Sequence, residues 1–127
     1  MELPWAAPSD CFDLAIIARY NVAMSDRIET IKAMLKDNPK DVFLLYSLGM
    51  EEASAGRPQE AAGALIECIT ADQDYLPARI ELAKVLRSGG ELDQARAAFE
   101  SALDLAIKLE DEHSADAVRA QLEALAQ

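Results

Sequence analysis

The side chains with chemical reach in this chain of 127 residues are few and scattered. Its one histidine, His113, stands beside Ser114 in an acidic connection. An imidazole works as base or metal ligand only with companions, and no cysteine or second histidine is near, so His113 reads as a solvated residue at a helix start. The two cysteines, Cys11 and Cys68, form no Cys-x-x-Cys or Cys/His cluster. They read as unpaired thiols, one in the core and one peripheral, in a reducing cytoplasm. Glu51-Glu52 and Asp111-Glu112 have the residue types of acid–base chemistry. Nothing in the sequence marks a pocket that would push their pKa values apart, so both pairs read as solvated faces. Gly89-Gly90 lacks the lysine and serine or threonine that a phosphate loop needs downstream, and reads as a turn. The expectation is a protein that is no enzyme, without cofactor or metal.

Charge narrows the partners. The formal net charge is −11 and the sequence pI about 4.4. Such a surface repels phosphate backbones and anionic bilayers, so no nucleic acid and no membrane partner is expected. Hydrophobic residues are 51% of the chain and charged residues 28%, a globular balance with enough apolar mass for one core. Met1-Glu2-Leu3-Pro4 lacks the basic start of a secretory signal, and the apolar run 14–18 is short. The expected location is cytoplasmic.

What must position these residues is a repeat. Leu45, Leu48, Gly49, Glu52, Gly56, Ala61 and Leu65 meet Arg79, Leu82, Ala83, Leu86, Gly90, Ala95 and Phe99, each 34 positions on. A fixed period of this length marks stacked helix pairs. Hydrophobic spacing and breakers predict helices over about 26–37, 41–55, 58–70, 76–88, 91–108 and 114–126. Asn38-Pro39 ends the first of these, Pro58 suits a first helical turn, and Ser114 is the expected cap of the last. Residues 1–9 read as an irregular arm and 10–20 as a short helix. The repeat-like sequence starts just after Met24, so residues 1–23 read as an extension with a separate role or as a mis-assigned start.

The repeating small residues have a packing reason. Two antiparallel helices that approach closely need notches at the crossing, which Gly49 and Ala83 supply from one side and Ala61 and Ala95 from the other, with Cys68 and Ala102 a turn or two later. Leu45, Leu48, Leu65, Leu82, Leu86 and Phe99 fill the space around them. Glu52 and Arg79 stand where large apolar residues are expected, and each thins the packing at one point. One period before Ala61 and Cys68 stand Arg27 and Met34, too bulky for a close partner helix packed in the usual way.

This pattern resembles the tetratricopeptide repeat, Trp-x2-Leu-Gly-x2-Tyr with Ala-x3-Phe downstream, seen here as Leu45-x2-Leu48-Gly49-x2-Glu52 with Ala61-x3-Leu65, and as Arg79-x2-Leu82-Ala83-x2-Leu86 with Ala95-x3-Phe99. The resemblance implies an all-α, right-handed α-α superhelix of antiparallel pairs: an arm at 1–24 and a helical domain at 25–127, with a capping helix at 26–38, full repeats at 42–75 and 76–109, and a C-terminal capping helix at 114–126. It also implies that the first helix of each pair lines a concave groove. The residues facing it would be Phe43, Tyr46, Met50 and Ala53, then Pro77, Ile80, Lys84 and Arg87, apolar at one end and basic at the other. A peptide with an apolar anchor and an acidic flank fits such a groove. Clamping of chaperone C-terminal carboxylates is not expected, because Asn21 and Asn38 are the only asparagines and neither faces the groove. The implied role is a protein–protein adaptor or assembly factor. The alternative is a self-associating module that forms a homo-oligomer through exposed ends or the arm with Trp5. An RNA-reading repeat, the third class, conflicts with the acid excess.

Overall fold

The computed structural model describes residues 26–126; the arm at 1–24, the short helix over 10–20, Cys11 and Trp5 lie outside them. Among the described residues there are helices and turns and no strand. Helix α1 covers 26–37, and is followed by α2 (Val42–Ser54), α3 (Pro58–Ala71), α4 (Leu76–Ser88), α5 (Leu92–Lys108) and α6 (Glu112–Ala126). Each of α2 to α5 packs on the next, and α2 touches α4 directly. Two layers result, with α2, α4 and α6 in one and α3 and α5 in the other. The chain is an all-α helical repeat.

Local chemistry sets the helix ends. Asp41 caps α2 by accepting a hydrogen bond from the Leu44 N–H at 3.0 Å. Proline stands in the first turn of α3 and of α4, where a missing N–H leaves no gap. Three turns close with the same pair of backbone bonds: Gly56 N–H to Ala53 O and Arg57 N–H to Glu52 O; Gly90 N–H to Arg87 O and Glu91 N–H to Leu86 O; Glu110 N–H to Ile107 O and Asp111 N–H to Ala106 O. Each needs a left-handed residue, and the φ values are 77°, 82° and 59°. Glycine supplies the first two and Glu110 the third, at the strain of a side chain in that region.

The notches work as the spacing predicts. Ala61, Cys68, Ala83, Ala95 and Ala102 are wholly buried, and so are Leu65 and Phe99. The Cys68 thiol donates to the Val42 carbonyl at 3.4 Å, and burial pushes its pKa up, so it is an inert core residue. The core forms two clusters. One gathers Leu45, Ala61, Leu65, Cys68, Ala78 and Val85, with Leu35 of α1 packed against it. The other gathers Leu76, Ala83, Phe99, Ala102, Leu105, Ala106, Ala115 and Val118. Helix α4 contributes to both.

Four details differ from the expectation. Glu52 does not merely thin the packing: it is only 2% exposed. Arg57 Nη1 approaches its Oε2 to 3.5 Å, but without hydrogen-bond geometry. Arg79 spans a gap instead of leaving one, with Nε donating to Gln73 O and Nη1 to Ser101 Oγ, both at 2.9 Å. In α1 the buried stripe runs through Ile28 and Leu35, one residue later than the period implies; Arg27 and Met34 face outward, and Arg27 pairs with Glu51 at 3.1 Å. Helix α6 starts at Glu112, not at 114. Asp111 is its cap, accepting from the Ser114 N–H at 3.0 Å and the Ser114 hydroxyl at 2.7 Å.

Candidate functional site

The helical spacing of α2 and α4 puts every third or fourth side chain on the face opposite α3 and α5. On α2 these are Phe43, Tyr46 and Met50. Phe43 is 68% exposed and Met50 36%, both large apolar groups left in water. Tyr46 is half-buried, with its ring tilted against Tyr75 at 5.5 Å between centroids. Burial, followed by the nearby Glu81 carboxylate, pushes the Tyr46 phenol above its usual pKa, so it is a neutral donor at any physiological pH.

On α4, Ile80 packs partly against the second core cluster and leaves one side open. Lys84 ion-pairs with Glu81 one turn earlier at 3.4 Å. Arg87 turns away: it donates to Gln121 Oε1 on α6, and its guanidinium lies 5.9 Å from the centroid of the Phe99 ring. It therefore ties α4 to its neighbours.

A cleft of about 360 Å³ runs between the layer's three helices, lined among others by Tyr46, Pro77, Ile80 and Lys84 and by Asp111, His113, Ser114 and Ala117. A second cleft of about 380 Å³ opens beside it towards the C-terminal ends of α2 and α4, lined by Ala53, Gly56, Glu81, Lys84 and Ser88 among others. Glu81 and Lys84 border both, so the two form one furrow with an ion pair at its waist. The structure thus brings Tyr46, Ile80 and Lys84 to one cavity wall. It places Phe43 and Met50 on the same face of α2, while Arg87 is engaged with Gln121 and Phe99 and lines neither cleft.

The charge of this surface differs from the expectation. Lys84 has Glu81 beside it, and Arg87 is engaged with Gln121 and Phe99. Asp111 adds a carboxylate held below its usual pKa by the Ser114 N–H and hydroxyl. The furrow is near neutral and apolar-walled, without a basic end.

Ser114 and Ala117 were not among the expected lining residues. A signal for them existed. Helix α5 has 17 residues where α3 has 14, so the counterpart of each α4 residue shifts three positions beyond the period. Pro77 then maps to Ser114, Ile80 to Ala117 and Lys84 to Gln121. Among the described residues no group of three or more His, Cys, Asp or Glu side chains could hold a metal ion. No described helix is long and apolar enough to cross a membrane.

Comparison with known proteins gives three results. A family model for the tetratricopeptide repeat matches residues 52–122, which extends the repeat register into α6. No curated protein matches the chain. Many solved structures share its fold. PcrH, solved in complex with the chaperone-binding region of PopD, is 22% identical with a TM-score of 0.76, over 93% of this chain and 90% of that one. The type III secretion translocator chaperone SycD of Yersinia enterocolitica is 20% identical with a TM-score of 0.75, over 98% and 86%. Protein BPP2914 of Bordetella parapertussis is 28% identical with a TM-score of 0.71, over 78% and 86%.

Proposed function

The chain belongs to the tetratricopeptide-repeat family, and we propose that it binds a segment of another protein along the furrow of α2, α4 and α6, as an adaptor or assembly factor in the cytoplasm. One observation carries this reading: large apolar side chains, Phe43 and Met50, stand in water on the face that Tyr46 and Ile80 continue into a cavity. Water-exposed apolar strips of this kind gain free energy when covered, at roughly 25 cal/mol per Å² of apolar surface. The ligand that suits it is an extended or helical peptide with an apolar anchor. The acidic flank loses its reason once Lys84 is paired with Glu81 and Arg87 is engaged with Gln121 and Phe99. Its polar backbone would be met by Tyr46 OH, Lys84, Glu81 and Ser114, which edge the cavity as scattered donors and acceptors. That PcrH has been solved with a segment of PopD supports the same mode of use.

The test is a comparison of the chain with its Tyr46→Ala/Met50→Ala/Lys84→Ala variant. Proteins that co-purify from the source cell are identified by mass spectrometry and tiled as peptides. A short peptide that binds the parent and is lost on the triple variant, with helical circular dichroism unchanged, is the expected result. Unchanged capture defeats the groove. Light scattering across concentration tests the alternative, because a stable homodimer that occludes the furrow favours self-association.

A further inference from the structure

We propose that residues 3–8 of the chain itself, Leu3-Pro4-Trp5-Ala6-Ala7-Pro8, dock in the furrow of the same molecule and compete with outside peptides. This rests on reading the furrow as a peptide site. Four observations lead to it.

The first is where the chain enters. Arg27 Nε lies 3.1 Å from Glu51 Oε2, so the start of α1 abuts the last turns of α2. Met50, next to Glu51 in sequence, stands exposed on α2. Asp26, the first described residue, therefore lies close to α2, the first helix of the furrow.

The second is reach. The 20 residues between Trp5 and Asp26 span up to about 70 Å when extended. The furrow crosses α2, α4 and α6, two helix spacings of about 10 Å each. Even with 10–20 folded as a helix about 16 Å long, the remaining chain covers that distance.

The third is charge. The furrow is near neutral, with Lys84 beside Glu81, and Asp111 beside His113. Residues 3–8 carry no charge, while their flanks, Glu2 and Asp10, do. An uncharged segment enters such a cavity without leaving an ion desolvated.

The fourth is composition. Pro4 and Pro8 bracket Trp5, and Pro-rich segments with an aromatic are the kind of sequence that aromatic-lined grooves accept. Tyr46 lines the furrow, backed by Tyr75, and Phe43 stands exposed on the same face of α2.

Tethering makes a weak contact effective. A short flexible tether supplies a concentration on the order of 1 mM. An intrinsic Kd of about 100 µM would then leave roughly one molecule in ten open, and outside ligands would bind about tenfold more weakly than to the free furrow.

Trp5 is the only tryptophan in the chain, so its fluorescence reports the contact without a label. In the full-length protein, at concentrations where light scattering shows a monomer, its emission is expected to be blue-shifted and less quenched by acrylamide than that of N-acetyltryptophanamide. Phe43→Asp and Met50→Asp, both at exposed positions, are expected to return it to the free value with circular dichroism unchanged. A labelled Leu-Pro-Trp-Ala-Ala-Pro peptide should bind full-length Trp5→Ala about tenfold more tightly than the parent. Free-like emission in the parent overturns the proposal, as does shielding that survives both groove variants. So does equal peptide affinity for the two proteins, or none for either. Shielding that appears only with dimerisation assigns the contact to a second copy and overturns it too. None of these outcomes touches the groove reading, which stands or falls on the triple variant.

Discussion

Gly49→Ala tests the notch on which the helix stacking depends. A Cβ placed there lies 2.7 Å from Leu65 Cγ and 2.8 Å from Leu65 Cδ2, with Ala61 O at 3.5 Å. Leu65 is fully buried, and the nearer atom is its branch point, which cannot swing aside without moving the whole side chain. Overpacking of this sort costs about 1–3 kcal/mol. The same substitution adds about 0.8–1.0 kcal/mol of helix propensity. The net expectation is a loss of about 1 kcal/mol, or about 4 °C in Tm for a domain of this size. Gly63→Ala is the control. It is an exposed position in α3 with nothing within 4 Å of the added methyl, so only the propensity gain of up to about 1 kcal/mol operates. Leu65→Ala removes both clashing atoms. On that background Gly49→Ala should become stabilising by about 1 kcal/mol, which makes the coupling between the two sites about 1–3 kcal/mol. Urea unfolding followed by helical circular dichroism measures the parent and the four variants, provided the m-value is constant. If Gly49→Ala gains as much stability as Gly63→Ala, close approach at this crossing is unimportant and the account of the stack is wrong.

Arg57→Ala takes the counter-charge from the buried Glu52 carboxylate and should cost about 1–2 kcal/mol, below the value for a fully buried pair because Arg57 is 47% exposed. Glu52→Leu, which copies Leu86 of the next repeat, should abolish that sensitivity and raise urea resistance by about 1 kcal/mol or more. Glu110→Gly relieves the left-handed strain at the last turn and should stabilise by up to about 1 kcal/mol in the same assay, whereas Gly90→Ala should destabilise by a similar amount. Asp111 has its pKa lowered by the Ser114 donors, so the stability it contributes is complete above the ordinary carboxylate pKa of 3.8 and is lost as pH falls through its own lower value. Ser114→Ala removes the hydroxyl donor, and a carboxyl-detected NMR titration should then find the Asp111 pKa moved up towards 3.8.

The helix ends were legible because their causes are single residues. Pro58 and Pro77 can stand only in a first turn, and Gly56 and Gly90 satisfy a left-handed φ that few other residues tolerate. Hence α2 to α5 begin and end within about a residue of where spacing puts them. The start of α6 was misread because Asp111 and Ser114 are both competent caps, and their mutual hydrogen bonds decide which one serves. In α1 the residues one period before Ala61 and Cys68 are not the buried ones, for a related reason. A period carries over the position of a helix but not its rotation, and Ile28 outweighs Arg27 in the competition for the core. At the furrow, helical spacing identified which side chains share a face. It could not show what each one touches. Arg87 and Lys84 look alike as members of one stripe, yet Gln121 and Glu81 engage them in different directions.

Helix α4 belongs to both core clusters, with Ala78 and Val85 on one side and Leu76 and Ala83 on the other. It is the shared term in a nearest-neighbour ladder of the Ising kind. The N-terminal and C-terminal halves can each peel from it without disturbing the other, while losing α4 melts both at once. Amide exchange should accordingly be slowest in α4 and quicken towards α1 and α6.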